Sequence, residues 1–304
     1  MRTVEVEHYP FRMDESELVV ENAVFGQMRK LVDEPVFELR DTESILQWLQ
    51  KHFLKARFMF LDEEELRRKG SGQGDLYYHG KEHSVFQTTF DAISVIRAVL
   101  SRKDRLSSHL TCEGVLATVI ASMYHDTGFV DMPYDGYSYA KNLNIHVNES
   151  IKVAVKSLDM WEIPNGLDSE RLKKFIVIGI HGTYFPYGEK EAAEGKKLLN
   201  KFHPRDRKEA QIIRLAVQFA DLGGQAARVD QVPDGLKKLR REMNEIRWGL
   251  GNEAMGEDHE LADKRRQFIE FVIDKTVGKT GNAFFGTPDH SFAREWHRTP
   301  VTSR

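Results

Sequence analysis

Apolar residues recur along much of this chain at intervals of three and four, and only rarely at two. After His83, the residues Phe86, Phe90, Ile93, Ile96 and Leu100 share one helical face, the spacing of an amphipathic helix. Val115, Leu116, Ala117, Val119, Ile120, Ala121 and Met123 leave few polar positions between them, which predicts a helix buried on all sides. Phe175–Ile180 and Ile212–Ala220 have the same character, although Ile176-Val177-Ile178 could also form a buried strand. Asn165-Gly166 lacks alternating apolar runs on both sides and reads as a turn rather than a hairpin. Val4-Glu5-Val6-Glu7 is the best strand candidate. The expected class is all-α.

The same texture divides the chain into three zones. Residues 1–60 read as an N-terminal helical extension, with Ile45, Leu46, Trp48, Leu49, Phe53 and Leu54 at helical spacing. Residues 61–230 read as one helical domain, entered through Arg67-Arg68-Lys69-Gly70-Ser71-Gly72-Gln73-Gly74-Asp75, a polar, glycine-punctuated stretch expected to be a surface loop. Residues 231–304 read as a charged helical extension with an irregular tail rich in Gly, Pro and Thr.

Composition narrows the function classes. The 304 residues are 40% hydrophobic, 30% charged and 10% aromatic, an ordinary globular mixture that excludes a low-complexity or disordered chain. The formal net charge of −3 gives no whole-protein field toward nucleic acid or an acidic membrane. A single cysteine, Cys112, excludes an intramolecular disulfide framework and a Cys-rich zinc module, and its apolar context points to a structural thiol. No apolar run approaches the roughly 18 residues of a membrane helix, and the start lacks a signal-peptide h-region, so a cytoplasmic protein is expected.

Candidate chemistry lies in an ordered series of histidines and aspartates. His79 and His83 stand four apart, followed by His125-Asp126, His146, His181 and Asp221. Intervals of this size each fit a helix with its connection, so facing helices can each deliver one ligand to a shared centre. Imidazole and carboxylate are the ligands of a transition-metal or mixed Mg/Mn site. His125-Asp126 follows an apolar helix that Gly128 can end, and two neighbouring residues reach one point most easily at a helix terminus. Asp221 likewise closes an apolar run before Leu222-Gly223-Gly224. Singly, each residue has a structural explanation. His146 could be a cap, His181 a cation on a helix C-terminus, and Asp221 a helix-end carboxylate with a lysine partner. The ordered set is what singles them out.

The order His…His-Asp…Asp resembles the HD-domain superfamily of metal-dependent phosphohydrolases. Tyr78-His79-Gly80-Lys81-Glu82-His83 is also similar to the Tyr-His-Asn-x-x-His signature of class I cyclic-nucleotide phosphodiesterases, with Gly80 in place of Asn. The resemblance covers about half the chain, residues 77–230. It implies an HD-type helical bundle in which His83, His125, Asp126 and Asp221 ligate a first metal and His79 is the general acid. His146 and His181 match the further histidines of binuclear members, and His146 through Ser150 resembles a His-x-x-x-Ser segment that many HD domains carry. No GYP motif is present, so cyclic di-GMP is not supported.

The implied cofactor is one or two divalent ions, of Mn, Fe, Mg, Zn, Co or Ni. The implied activity is hydrolysis of a nucleotide-like phosphomonoester or phosphodiester by hydroxide generated at the metal. Asp126 is suited to bridge two ions, and Lys81, two residues from His79, points mostly away from it on a helix. Two alternatives remain: a di-iron oxygenase acting on a small polyol or phosphonate, and a non-catalytic binding module. The segment from Phe129 to Tyr139, with Tyr134, Tyr137 and Tyr139, reads as a lid over a substrate base or as a surface loop. Partners are therefore a small phosphoester, with no membrane and no clear nucleic-acid surface. A homo-oligomer stays open, with Trp161, Trp248 and Trp296 as candidate anchors.

Overall fold

A computed structural model describes residues 15–70, 80–101, 107–130, 145–184 and 189–226. Among these residues the regular structure is helical throughout, in agreement with the all-α expectation. The α-helices are α1 (Glu15–Val32), α2 (Thr42–Gly70), α3 (Thr88–Ser101), α4 (Cys112–Tyr124), α5 (Ile145–Leu158), α6 (Ser169–His181), α7 (Glu189–Asn200) and α8 (Arg207–Ala226). A π-helix, Glu82–Gln87, leads directly into α3. No helix among the described residues is long and apolar enough to cross a membrane.

The organising element is α4. Every one of its residues is buried, and it packs against α2, α3, α5, α6 and α8. Burying side chains such as Leu116, Val119, Ile120 and Met123 contributes about 1.5–3 kcal/mol each. Thr111 starts the helix in an extended conformation and accepts the Gly114 N–H at 3.3 Å, an N-cap satisfying one otherwise orphan donor. Cys112, its first residue, is buried, and burial pushes its thiol up to about 12, which suits a structural role.

Phe86, Ile93 and Ile96 lie in the core, with Phe90 and Leu100 packed at its edge. The ambiguity at Ile176–Ile178 resolves as α6. Asn165-Gly166 forms a turn, with Gly166 at φ +82°, a conformation that costs glycine little.

Three local expectations change, at Arg67, Asp221 and Gly128. The stretch from Arg67, expected as a loop, is helical as far as Gly70, the last residue of α2. Its Glu-, Leu-, Arg- and Lys-rich sequence is made of good helix formers, so polarity there does not mean loop. The same helix passes residue 60 without a break, and α1 and α2 share one core with α3 and α4. Asp221 lies inside α8, which continues through Leu222-Gly223-Gly224 to Ala226, because two glycines weaken a helix without obliging it to stop. Finally, α4 ends at Tyr124, before Gly128. Asp126, at φ −109° and ψ 1°, leaves helical geometry, and Gly128 serves a different purpose. A Cβ there would collide with the His146 carbonyl oxygen, so this glycine lets two backbones meet.

The strand candidate Val4–Glu7, His79, the lid residues 131–139 and the C-terminal extension 231–304 lie outside the described residues. Phe129, the first residue of that lid segment, is buried.

Candidate metal centre

Three elements bring the site together. The π-helix delivers His83, the C-terminal end of α4 delivers His125 and Asp126, and α8 delivers Asp221. His83 Nε2 lies 3.2 Å from Asp221 Oδ1 and 4.0 Å from Asp126 Oδ2. His125 Nε2 lies 3.1 Å from Asp126 Oδ2 and 3.5 Å from Asp221 Oδ1. One donor atom each from His83, His125 and Asp221 falls within 4.8 Å of the other two.

The chemistry of these atoms makes the cluster informative. His125 Nδ1 lies 2.9 Å from the Ser122 carbonyl oxygen. A carbonyl only accepts, so Nδ1 carries the hydrogen and Nε2 of the neutral ring presents a lone pair. That lone pair faces two carboxylate oxygens, and only a proton or a cation on it turns the approach into an attraction. Acceptors converging on one buried point repel one another unless a cation or proton lies among them. The protonation tendencies agree. Burial alone lowers the His125 pKa, but Asp126 and Asp221 outweigh it and hold it well above the ordinary histidine value. Burial would raise the Asp221 pKa, yet hydrogen bonds from His125 and His83 hold it below the usual carboxylate value.

Geometry also fits. Ligands at about 2.0–2.2 Å from an ion stand about 3–3.5 Å apart when adjacent, and the two histidine–Asp221 separations are 3.2 and 3.5 Å. The Nδ1–carbonyl bond of His125 is the outer contact that orients a metal-binding imidazole. His83, His125 and Asp221 thus form a cluster with the donors and spacing to hold a metal ion.

The other expected residues divide. Asp126 is buried beside this cluster and turns its second oxygen, Oδ1, toward His146 Nε2 at 3.7 Å. The His146 ring stacks on Phe129, with centroids 3.9 Å apart and planes at 14°. Ser150 accepts the Gly128 N–H at 2.8 Å, so the His146–Ser150 segment ties α5 to the turn after Asp126. His181, the last residue of α6, is buried against Tyr184 and lies 4.0 Å from Glu194 of α7. It is not one of the three clustered donors. Lys81 is buried at the start of the π-helix.

Ser84, Phe129 and Glu194 are the neighbours that spacing arguments missed. Ser84 donates to Asp126 Oδ2 at 2.8 Å. Its one sequence signal is a small hydroxyl next to a candidate ligand in an otherwise apolar face. Phe129 carries no chemical signal at all, and Glu194 sits in an ordinary charged helix.

No family model, curated protein or solved structure matches this chain.

Proposed function

We propose that this chain is a metal-dependent phosphohydrolase of the HD-domain type, acting on a nucleotide-like phosphomonoester or phosphodiester. The observation that carries the reading is the buried convergence of His83, His125, Asp126 and Asp221, in the chain order that resembles that superfamily. A bound divalent ion supplies Lewis acidity and makes hydroxide available near neutral pH.

The chain's own residues have separate tasks in this reading. His83, His125 and Asp221 hold the cation, with His125 aimed by the Ser122 carbonyl. Asp126 contributes Oδ2 on their side and leaves Oδ1 toward His146, which supports a second ion there. Burial of these groups keeps bulk water from screening their charges. His79 is assigned the proton that the leaving alkoxide needs. His181 is assigned to the second ion by resemblance.

The test combines elemental analysis with phosphate release. Wild-type protein loaded with Mn is expected to carry one or two ions per chain and to hydrolyse at least one member of a panel of cyclic nucleotides and nucleoside monophosphates. His125→Ala and Asp126→Ala are expected to lose the metal, and His79→Ala to keep it while losing hydrolysis. Metal-free wild-type protein after incubation with Mn overturns the reading. The approach of His146 to Asp126 also suits a di-iron oxygenase. Iron content with oxygen-dependent turnover, and no phosphate release, would select that reading instead.

A further inference from the structure

The turn bearing His83 brings a second side chain to the site. Thr88 closes the π-helix, its backbone N–H reaching His83 O and Val85 O. Its hydroxyl donates to the same His83 carbonyl at 2.8 Å. Such wide turns are rare and concentrate at functional sites. Here His83 and Ser84, adjacent in sequence, address one oxygen of Asp126. Ser84 Oγ donates to Oδ2 at 2.8 Å, and His83 Nε2 stands 4.0 Å from it. Ser84 is fully buried, so no bulk water competes for its hydroxyl. The remaining oxygen, Oδ1, faces His146.

An aspartate rotates easily about its last bond, and a free carboxylate can turn both oxygens onto one ion. The Ser84 bond opposes that rotation. It occupies one lone pair of Oδ2, leaves the other toward His83 and His125, and keeps Oδ1 directed at His146. We propose that Ser84 is a positioning residue that makes Asp126 a bridge between two cation positions, one at His83, His125 and Asp221 and one at His146. Without it, Asp126 closes as a two-oxygen ligand on the first position alone. This rests on the metal-centre reading above and adds to it the residue that sets the number of ions held.

The experiment titrates metal-free protein with Co(II), followed by calorimetry and by the visible absorption of the bound ion. Wild type, Ser84→Ala, Ser84→Cys and His125→Ala are compared, and circular dichroism melts establish that each is folded. Wild type is expected to bind two ions. Ser84→Ala is expected to hold the first within about threefold and the second about 10–100-fold more weakly, the usual cost of removing an outer contact. The visible bands of the first ion should shift as Asp126 changes its mode of ligation. Ser84→Cys, of similar shape but a weaker donor, should fall between them.

Equal weakening of both ions in Ser84→Ala indicates a merely structural serine and overturns the proposal. So do unchanged affinities, or a wild type that takes one ion only. If Ser84→Ala does not fold, Ser84→Cys decides: second-ion affinity equal to wild type overturns the proposal, and selective weakening supports it. Wild type that binds no ion, or His125→Ala that binds as wild type does, removes the metal-centre reading itself and the proposal with it.

Discussion

The two ends of α4 both hold buried carboxylates, and they treat them in opposite ways. At the N-terminal end, Glu209 accepts the Thr111 N–H and the Thr111 hydroxyl, each at 2.6 Å, and an Arg171 Nη2 donor at 2.8 Å. At the C-terminal end, Asp126 and Asp221 face the lone pair of His125 instead. Helix electrostatics favours this polarity, with anions at the N-terminus and cations at the C-terminus. One end supplies its own positive charge through Arg171. The other end gathers negative charge and ligands around a place for a cation. A closed node stabilises, whereas an open one leaves room for a cation.

A single helix serves both ends. Glu209 lies in the first turn of α8, and Asp221 lies in the same helix. At about 1.5 Å per residue, their separation along α8 matches the length of α4, so the two helices run parallel. The structural node fixes the register of α8 at one end, and that register presents Asp221 at the other.

Breaking the closed end should have the largest effect. Glu209→Ala removes the buried partner of Arg171, leaving it the partly exposed Asp206, strips both Thr111 donors of their acceptor, and is expected to cost about 3 kcal/mol, read from urea denaturation. Metal stoichiometry of the protein that remains folded should not change. Breaking the open end should do the reverse. In wild type, an ion at a hundred times its dissociation constant should add about 2.7 kcal/mol of stability. In His125→Ala, adding the ion should leave the melting temperature where it was.

Acid should act next, through a group packed against the open end. His52 is buried beside Trp48, Trp161 and Tyr124, and burial lowers its pKa from 6.5 to about 3. The folded form therefore prefers neutral His52. Its contribution is complete above pH 6.5 and is lost as pH falls toward about 3. Denaturation midpoints of wild type should drop through that window, and His52→Leu should flatten part of the drop; an identical slope in both would remove His52 as the cause. The smallest effect belongs to Arg29→Ala. Its ion pair with Glu43 is exposed on both sides, and solvated pairs of this kind contribute little. No change in denaturation midpoint is expected.

The helices were legible wherever burial left a simple periodic mark. The central stretches of α4, α6 and α8 follow from runs of Val, Ile, Leu and Phe, because burial on several sides demands them. The extent of α2 was not legible, since a charged helix and a polar loop share a vocabulary. The site divides in the same way. His83, His125 and Asp221 could be named because few residue types ligate metals and each adjoins an apolar helix. Ser84 could not, because its importance lies in a π turn whose register depends on long-range packing. His181 was named from its place in the same ordered series, and it stands buried beside Tyr184, with Glu194 at 4.0 Å.

Gly128 acts as a spacer between the turn after Asp126 and α5. With no side chain, it lets the turn after Asp126 rest directly on the backbone of His146, which sets how near the carboxylate stands to that histidine. A single methyl group at this position would act as a wedge, prying α5 away while leaving every ligand chemically intact. The spacing of the centre is thus set by an atom that is missing.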